Sequence, residues 1–442
     1  MSFPIYPEYR DTETQWLGSL PAHWDGQSLK RVVAKIESGV SVNAVDEPAT
    51  TGSVGVLKTS CVYSGRFDPT ENKAVIADEL DRVACSVQAQ TLIVSRMNTP
   101  ALVGAAGLVT EDAENLFLPD RLWQVHFTEA VPAFVHYWTA SPAYRAQVEM
   151  ACAGTSASMQ NLSQDDFLRF VLPLPSVREQ AAISAFLDRE TAKIDALIAG
   201  QEKLIALLAE KRQTTISHAV TRGLNPDAPM KDSGVPWLGE VPAHWQIGPL
   251  KRFAEVIDCK HHTVQFLDEG LPIVSIRELR DDRIDLINAK YTSKDEWDFL
   301  REGRVPQKGD LIFCRNASVG AVGYVDGIED FCMGQDVCLI RPKMDGRFMH
   351  LQMCSSLVRS QIESLLVGAT IRRANVEEIR SLVVVWPSEG EQQSIADFIQ
   401  NELLRFRGLA DQARSAVNLL QERRSALIAA AVTGQIDVRG AL

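Results

Sequence analysis

The sequence predicts an α+β protein: two mixed, mostly-β domains joined by two long helices that form an antiparallel coiled coil, with an internal pseudo-two-fold repeat. Two observations predict this fold. The chain repeats itself once, and each copy ends in a proline-free segment with a seven-residue apolar period. The repeat length of about 220 residues is that of a whole structural unit, because solenoid repeats are only ~20–50 residues long. The chain is therefore read as a tandem duplication.

A chain of 442 residues is longer than one ordinary hydrophobic core supports, so several domains are expected. The expected segments are a first β domain at 1–172, a first long helix at 173–222, a second β domain at 223–386, a second long helix at 387–435 and a tail at 436–442.

The composition indicates a cytoplasmic protein with reduced thiols. Hydrophobic residues make up 45% of the chain, but no apolar run approaches the ~20 residues that span a bilayer. The first residues show no basic segment leading into an apolar one, so no signal peptide is expected. The eight cysteines do not repeat between the copies, whereas a disulfide framework would duplicate with the unit. The net charge of −12 argues against a free-standing nucleic-acid binder, although local patches can oppose it.

Each copy opens with the same turn and packing residues. "WLGSLPAHWDGQSLKR" at 16–31 returns as "WLGEVPAHWQIGPLKR" at 237–252, with ten of sixteen positions identical. The prolines fix φ, and the tryptophans offer large apolar surfaces. These features favour a hydrophobic plug that closes the start of each domain, with a docking surface as the alternative.

The middle of each copy predicts short strands with glycines between them. "LIVSR" at 92–96 and "LIFCR" at 311–315 are apolar runs of strand length. They are followed by "VGAAGLV" at 103–109 and "VGAVGYV" at 319–325, where glycine indicates a bulge or a close backbone approach. Upstream, 54–69 aligns with 271–286, and the polar residues between the shared apolar positions differ. A shared frame with diverged polar positions predicts two differently tuned binding surfaces.

The last part of each copy predicts a long helix with one apolar seam. About 45 residues without proline follow Pro175 and Pro387, and a 4–3 spacing runs through both segments in the same register. Such a period over several heptads favours a coiled coil. Antiparallel packing brings Glu190 near Arg423, whereas parallel packing would set like charges against each other. The expected seam residues are Ile183, Leu187, Ile194, Leu197, Leu204, Leu208, Ile395, Ile399, Phe406, Leu409 and Leu420.

These duplicated motifs, in this order, resemble the DNA-specificity subunit of Type I restriction–modification systems. The resemblance covers essentially 1–435. It is carried by the two "W-L-G…P-A-H-W…L-K-R" openings, the "LIVSRMNTPALVGAAG" and "LIFCRNASVGAVG" segments, the "P-x-x-x-EQ-x-x-I" start of each long helix, and the helix ends "KRQTTISHAVT" and "ERRSALIAAAVT".

The resemblance implies two target-recognition domains, each reading one half of a split, asymmetric site in double-stranded DNA, with the helices as the spacer. It implies two modification subunits docked on the helices, and two restriction subunits that can join them. No cofactor is expected in this chain, since S-adenosylmethionine, ATP and Mg would belong to the partner subunits. Partner subunits would also supply much of the phosphate binding, which would account for the acidic balance of this chain.

DNA-reading candidates are polar residues in loop-like segments where the copies differ, because Arg and Lys pair with guanine, and Asn and Gln with adenine. Arg96 and Arg315 are shared by the copies, which favours phosphate contact or internal support. Arg372 and Arg373 are the preferred phosphate contacts. The candidates are Lys58, Thr59, Arg66, Arg96, Asn98, Ser156, Ser158 and Gln160 in the first copy, and Lys260, His261, His262, Arg277, Arg280, Arg315, Asn316, Arg372 and Arg373 in the second.

The sequence predicts a non-catalytic chain without a metal site. It contains no phosphate-binding loop, no "H-E-x-x-H" helix and no "N-P-P-[FY]" segment of adenine methyltransferases. The run Cys259-Lys260-His261-His262 has no fourth zinc ligand at a suitable spacing and no counterpart in the first copy. Two alternatives remain: a protein scaffold with two protein-binding β domains and no DNA role, which the negative charge supports, and an enzyme with an unrecognised site.

Overall fold

The computed structural model describes residues 3–152, 158–366 and 373–440. The chain divides into two compact units: unit 1 contains residues 1–201 together with 415–442, and unit 2 contains residues 202–414. Each of the two long helices passes from one unit into the other. Unit 1 therefore combines residues from both ends of the chain, whereas unit 2 is one continuous segment.

Unit 1 is a mixed α+β structure, as predicted. Its strands are β1 (Tyr9–Asp11), β2 (Ser19–Pro21), β3 (Asp25–Ser28), β4 (Val33–Ser38), β5 (Ala44–Val45), β6 (Gly55–Leu57), β7 (Asn72–Val75), β8 (Ser86–Val87), β9 (Thr91–Ser95), β10 (Met97–Asn98), β11 (Ala106–Val109), β12 (Ala113–Phe117), β13 (Leu122–Phe127), β14 (Gln160–Asn161) and β15 (Val171–Leu174). Its helices are α1 (Leu29–Val32), α2 (Pro132–Thr139), α3 (Pro142–Ala151), α4 (Gln164–Arg169) and the first part of α5 (Val177–Arg222). Two 3₁₀ helices span Thr59–Val62 and Ala77–Arg82.

Unit 2 repeats this order with local differences. Its strands are β16 (Met230–Asp232), β17 (Glu240–Pro242), β18 (Gln246–Pro249), β19 (Ala254–Asp258), β20 (Leu271–Val274), β21 (Leu279–Arg280), β22 (Arg283–Ile284), β23 (Lys290–Thr292), β24 (Leu311–Cys314), β25 (Val322–Tyr324), β26 (Cys332–Met333), β27 (Val337–Pro342) and β28 (Val383–Trp386). Its helices are α6 (Leu250–Phe253), α7 (Lys294–Arg301), α8 (Gly346–Met353), α9 (Ser356–Leu366), α10 (Val376–Ser381) and the first part of α11 (Glu389–Val432), with a 3₁₀ helix at Ile276–Glu278.

The two units share a sheet topology. Unit 1 has a four-stranded antiparallel sheet in the order β11-β9-β13-β4, and unit 2 has its counterpart in the order β25-β24-β27-β19. A second sheet in each unit contains one parallel pair, β6 with β12 and β20 with β26. The duplication read from the sequence is therefore visible in strand order. The units differ around these second sheets, where unit 2 adds α7 and the β21–β22 hairpin.

The repeated glycines permit a close backbone approach, as the sequence predicted. A Cβ on Gly107 in β11 would lie 2.6 Å from the backbone nitrogen of Phe67. A Cβ on Gly323 in β25 would lie 2.5 Å from Cγ1 of Ile284. In each unit a loop therefore crosses the edge strand at a residue that has no side chain.

The repeated opening motif and the repeated "EQ" pair contact each other inside each unit. In unit 1 the His23 imidazole lies 3.1 Å from the Glu179 carboxylate, and in unit 2 His244 lies 2.8 Å from Glu391. Trp24 and Trp245 are buried beside them. This arrangement agrees with the predicted plug: the motif joins the start of each β domain to the start of its long helix.

The glutamine of each "EQ" pair ties the helix start to a neighbouring segment. Gln180 accepts a hydrogen bond from the Val131 backbone N–H at 2.7 Å and donates to the Pro175 carbonyl at 2.9 Å. Gln392 makes the same two bonds with Asp345 and Pro387, both at 2.9 Å. Buried amides require such partners, because an unpaired one loses its hydration without compensation.

The long helices α5 and α11 pack against each other within each unit. In unit 1, Ile183 and Leu187 of α5 share a core with Ile428 and Val432 of α11. Farther along α5, Asp195 accepts a hydrogen bond from Nε of Arg424 at 2.9 Å. Residue numbers rise along one helix and fall along the other, which is the predicted antiparallel direction.

Unit 2 shows the same pairing between the other two helix halves. Ile216 and Val220 near the end of α5 share a core with Ile395 and Ile399 near the start of α11. The apolar face of each helix half is thus buried partly by the other helix and partly by the β domain of its own unit.

The predicted seam requires a correction at three positions. Leu197 is 55% exposed, and Leu204 and Leu409 are also exposed. Ile198 and Ile205 are more buried than their neighbours and face inward instead. The other seam residues are buried or half-buried: Ile183, Leu187, Ile194, Leu208, Ile395, Ile399, Phe406 and Leu420.

The cause is an ambiguity in the sequence. Apolar residues stand side by side at 197–198 and 204–205, so a 4–3 spacing fits either member of each pair. The charged contact between the helices also lies one position away from the predicted one. Glu190 pairs with Arg189 and Lys193 of its own helix rather than with Arg423, and the interhelical pair of unit 1 uses Arg424.

Candidate nucleic-acid interface

A repeated patch forms where the central strand of each four-stranded sheet ends. In unit 1, Arg96 follows β9, and its carbonyl accepts the Leu162 N–H at 2.8 Å. The short strands β10 and β14 then pair Asn98 with Gln160. Three predicted DNA-reading residues are therefore brought together, with Gln160 next to Arg96 and Asn98, which lie about 60 positions earlier in the sequence. We call this set the unit 1 patch.

Hydrogen bonds fix the positions of side chains in the unit 1 patch. Asn98 is buried, and its amide donates to the Tyr63 hydroxyl at 2.9 Å. The same hydroxyl lies 2.9 Å from Oγ1 of Thr59, so a fourth predicted residue joins the patch through Tyr63. The Arg96 guanidinium lies 5.7 Å from the Trp123 ring, and its Nε has no hydrogen-bond partner among the described residues.

Unit 2 builds the equivalent patch with different side chains. Arg315 follows β24, and its carbonyl accepts the Ala374 N–H at 2.8 Å. Asn316 pairs with Arg373 in an antiparallel bridge, at the place where Met97 pairs with Asn161 in unit 1. We call Arg315, Asn316 and Arg373 the unit 2 patch.

The unit 2 patch contains a buried, partly unpaired guanidinium. Arg315 is 3% exposed and donates from Nη1 to Asp258 at 2.8 Å, but Nε and Nη2 have no hydrogen-bond partner in the described part of the chain. Buried N–H groups without a partner are costly and uncommon in folded proteins. Arg315 and Arg373 line an open cleft of about 540 Å³. The other lining residues are Asp258, His261, Asn375, Val376 and Glu377.

The remaining unit 1 candidates lie outside the patch. Lys58 is 3.8 Å from the Asp46 carboxylate, and Arg66 forms an ion pair with Asp195 of α5. Ser158 is exposed next to the patch. Ser156 lies outside the described residues.

In unit 2, the other candidates have neighbours of their own. Lys260 binds Glu302 at 2.7 Å, and His262 lies 3.2 Å from Glu296. The Arg277 guanidinium donates to the Asn288 carbonyl at 2.8 Å, and Arg280 donates to the Arg277 carbonyl at 3.0 Å. Contacts of these residues with DNA stay predictions. Arg372 lies outside the described residues.

One group of metal-ligand type occurs beside the unit 2 patch. Ligand atoms of Asp258, Cys259 and His261 all lie within 4.8 Å of one another. A zinc site prefers such donors. However, Arg315 already holds the Asp258 carboxylate at 2.8 Å, and its positive charge opposes a second cation there. These contacts favour an arginine–carboxylate pair at this place over a metal centre.

Two further functional candidates were not predicted from the sequence: His136 in α2 and His350 in α8. His136 lies 2.8 Å from the Gly65 carbonyl, and His350 lies beside Asp282. Burial is the main cause that lowers the pKa of both imidazoles. A signal was present, because the two histidines occupy corresponding positions of the duplication.

No disulfide forms among the eight cysteines, all of which lie in described residues. Within residues 3–152, 158–366 and 373–440, none of the helices combines the length and the apolar character needed to cross a membrane.

Comparison with known proteins gives matches of three kinds. The sequence profile of the Type I restriction modification DNA specificity domain matches residues 242–403. The chain is 25% identical over 212 residues to the Type I restriction enzyme EcoKI specificity subunit of Escherichia coli K12, which covers 46% of this chain and 44% of that protein. It is 23% identical over 172 residues to the EcoEI specificity subunit of Escherichia coli, covering 38% and 29%. The chain thus spans less than half the length of these curated relatives.

Two solved structures resemble the fold of this protein over almost the whole chain. One, from work on the complex assembly and conformational transition of the type I R-M system, has a TM-score of 0.65 at 16% identity and covers 96% of this chain and 99% of its own. The HsdS subunit from Thermoanaerobacter tengcongensis has a TM-score of 0.53 at 16% identity and covers 94% and 98%. At these identities the likeness concerns the fold alone.

Proposed function

From the confirmed resemblance of this chain to specificity subunits of Type I restriction–modification systems, we propose that it is the sequence-specific DNA-binding subunit of such a complex. Unit 1 and unit 2 each read one half of a bipartite, asymmetric site in double-stranded DNA. The chain itself is non-catalytic and acts in the cytoplasm. Methylation, with S-adenosylmethionine, belongs to two modification subunits, and ATP- and Mg-dependent cleavage belongs to restriction subunits where these are present.

The observation that carries the proposal is the repeated patch at the end of the central strand. The backbone arrangement is the same in both units, but the side chains at matching places differ: Asn161 opposite Met97 in unit 1, and Arg373 opposite Asn316 in unit 2. Asparagine suits adenine, whereas arginine suits guanine or a phosphate. Two readers with different side chains on one frame fit an asymmetric site better than a symmetric one.

The unit 2 patch supports a phosphate contact in particular. Arg315 keeps two guanidinium nitrogens, Nε and Nη2, without a partner in the described residues, and Arg373 is 3.9 Å from the Asp336 carboxylate. A guanidinium edge can hold a phosphate through two hydrogen bonds. These local positive groups support DNA contact in spite of the net charge of −12.

The long helices serve as the spacer and the docking frame in this proposal. Their antiparallel pairing would form a coiled coil that relates the two copies by a pseudo-two-fold axis. Several apolar side chains on them remain exposed and are available to modification subunits: Leu197, Leu204, Leu207, Leu404, Leu409 and Leu419. Exposed apolar side chains of this kind are common at protein interfaces.

The deciding experiment combines the chain with its modification subunit and maps the methylated bases in host DNA. The expected result is one split motif with two specific halves separated by unspecified bases, which disappears when the gene for this chain is removed. Methylation that is independent of this chain would contradict the proposal. The scaffold alternative, which the net charge of −12 favours, predicts assembly with partner proteins and no selective protection of any DNA sequence.

A further inference from the structure

In each unit, one loop crosses the edge strand of the four-stranded sheet and reaches the long helices. In unit 1 this loop contains Gly65, Arg66 and Phe67, and it crosses Gly107 of β11. In unit 2 the turn between β21 and β22 contains Asp282, and the chain then crosses Gly323 of β25 at Ile284. We call these the unit 1 loop (64–67) and the unit 2 loop (281–284).

Both loops are held by the same histidine position. His136 of α2 lies 2.8 Å from the carbonyl oxygen of Gly65. His350 of α8 lies beside Asp282, whose charge and backbone both oppose the burial that lowers the pKa of this imidazole. Gly65 and Asp282 correspond under the duplication, as do the histidines, so the contact was preserved while the surrounding side chains changed.

Both loops also form an ion pair with a long helix. Arg66 of the unit 1 loop pairs with Asp195 of α5, whose other carboxylate oxygen accepts Nε of Arg424 of α11 at 2.9 Å. In unit 2, Asp282 of the loop accepts Nη2 of Arg212 of α5 at 2.7 Å. Arg212 and Arg424 occupy corresponding positions on the two helices.

The charges of the two ion pairs are exchanged. In unit 1 the loop is positive and its helix partner is negative, whereas in unit 2 the loop is negative and its helix partner is positive. The position corresponding to Asp195 is Arg407, so the unit 1 arrangement cannot be copied in unit 2. Each loop therefore matches the helix halves of its own unit.

Global stability does not explain this recurrence, because partly exposed ion pairs contribute little to it. The ion pairs have a larger effect on the geometry of the loops. In each unit the ion pair, the histidine contact and the close backbone crossing together fix the direction of a short loop. A loop whose direction is fixed presents its neighbouring side chains to a ligand at low entropic cost.

We propose that the contact of Arg66 with Asp195 positions the unit 1 loop on the long helices, and that the contact of Asp282 with Arg212 positions the unit 2 loop. The exchanged charges make each loop compatible only with the helix pair of its own unit. The residues that form these two contacts are positioning residues, which act on DNA recognition through the loops. The inference rests on the proposed function for its consequence in DNA reading, but the loop contact itself can be measured without DNA.

The test uses the full-length chain with Arg212→Asp, Asp282→Arg and both changes together. Either single change sets like charges together and is expected to increase hydrogen–deuterium exchange of residues 279–286 several-fold. The double change restores opposite charges and is expected to return the exchange to the wild-type level. Arg405→Asp is the matched control, because Arg405 is an exposed arginine of α11 whose ion pair with Glu402 lies within the same helix.

The same variants are then assembled with the modification subunit, and the methylated motif is mapped. The single variants are expected to lose discrimination in one half of the motif, and the double variant to recover it. Unchanged exchange in the single variants, or no recovery in the double variant, would overturn the inference even if a motif is read. Expected exchange results without any chain-dependent motif would leave the loop contact established and reject the proposed function instead.

Discussion

At the scale of single residues, the unit 2 patch shows why a buried charge is informative. Arg315 has one carboxylate partner at 2.8 Å and two guanidinium nitrogens without a partner in the described residues. Folding alone does not favour such an arrangement, since buried charged donors are normally saturated. A ligand with acceptor oxygens would complete it, and Arg373, half-exposed in the same cleft, would share that ligand.

We expect Arg373→Ala to weaken binding to all DNA sequences about equally and to reduce the salt dependence of binding by about one counterion, because it removes one phosphate contact. Fluorescence anisotropy over a series of salt concentrations measures both effects. Arg405→Ala, which removes an exposed arginine from α11, serves as the control. A loss confined to one DNA sequence would assign Arg373 to base reading instead.

The buried histidines predict a dependence of stability on pH. Burial lowers the pKa of His136 and His350, so the folded chain binds fewer protons than the unfolded chain near the ordinary histidine pKa. The free energy of unfolding should therefore fall as the pH is lowered from about 7.5 to about 6, above the range in which carboxylates titrate. Urea unfolding at both pH values measures the change, and His136→Gln should make it smaller. An unchanged difference between the two pH values in that variant would contradict the assignment.

At the scale of elements, the sequence predicts the long helices well and their contact residues less well. The ends of α5 and α11 follow from prolines and from an uninterrupted apolar period. Which residue faces inward is ambiguous where two apolar residues adjoin, as at Leu197 and Ile198. The same limit applies to the patches, because the β10–β14 pairing joins strands of two residues that are about 60 positions apart. Such short strands carry no periodic signal.

The corrected seam gives a matched pair of substitutions in unit 1. Ile194 is 6% exposed and Leu197 is 55% exposed. Ile194→Ala should lower the free energy of unfolding by about 2–4 kcal/mol, since it leaves a cavity in the helix interface. Leu197→Ala should change it by less than about 0.5 kcal/mol. Urea denaturation of both variants measures the difference, and equal effects would restore the seam first read from the sequence.

At the scale of the whole molecule, the duplication separates two tasks. The contacts that repeat without change belong to the frame, such as those of Gln180 and Gln392 at the helix starts. The side chains that change between the units belong to the patches and loops. Sequence comparison of the two copies predicted this division, because offsets and identities can be read from the chain alone. It did not predict the loop–helix ion pairs, since exchanged charges leave no identity to detect.

This division predicts that substitutions in one patch affect one half of the recognised site. Gln160→Ala in unit 1 should relax recognition in one half of the methylated motif and leave the other half unchanged, because each patch belongs to a separate unit. Arg373→Ala in unit 2 is the comparison and should leave both halves of the motif unchanged, because it removes a phosphate contact and no base contact. Sequencing of methylated bases in a complemented host measures both halves. Loss in both halves from Gln160→Ala alone would contradict independent reading.

Unit 1 is closed by both ends of the chain. The Asp437 N–H donates to the Pro4 carbonyl at 2.8 Å, and Val432 and Val438 lie in the same core as Trp24. During synthesis, residues 202–414 can therefore complete unit 2 while the rest of the chain is still being made on the ribosome. The earlier-made residues of unit 1 must wait for the last helix, with apolar surface uncovered for most of translation. The residues of unit 1 that are made first are thus among the last to reach their final packing.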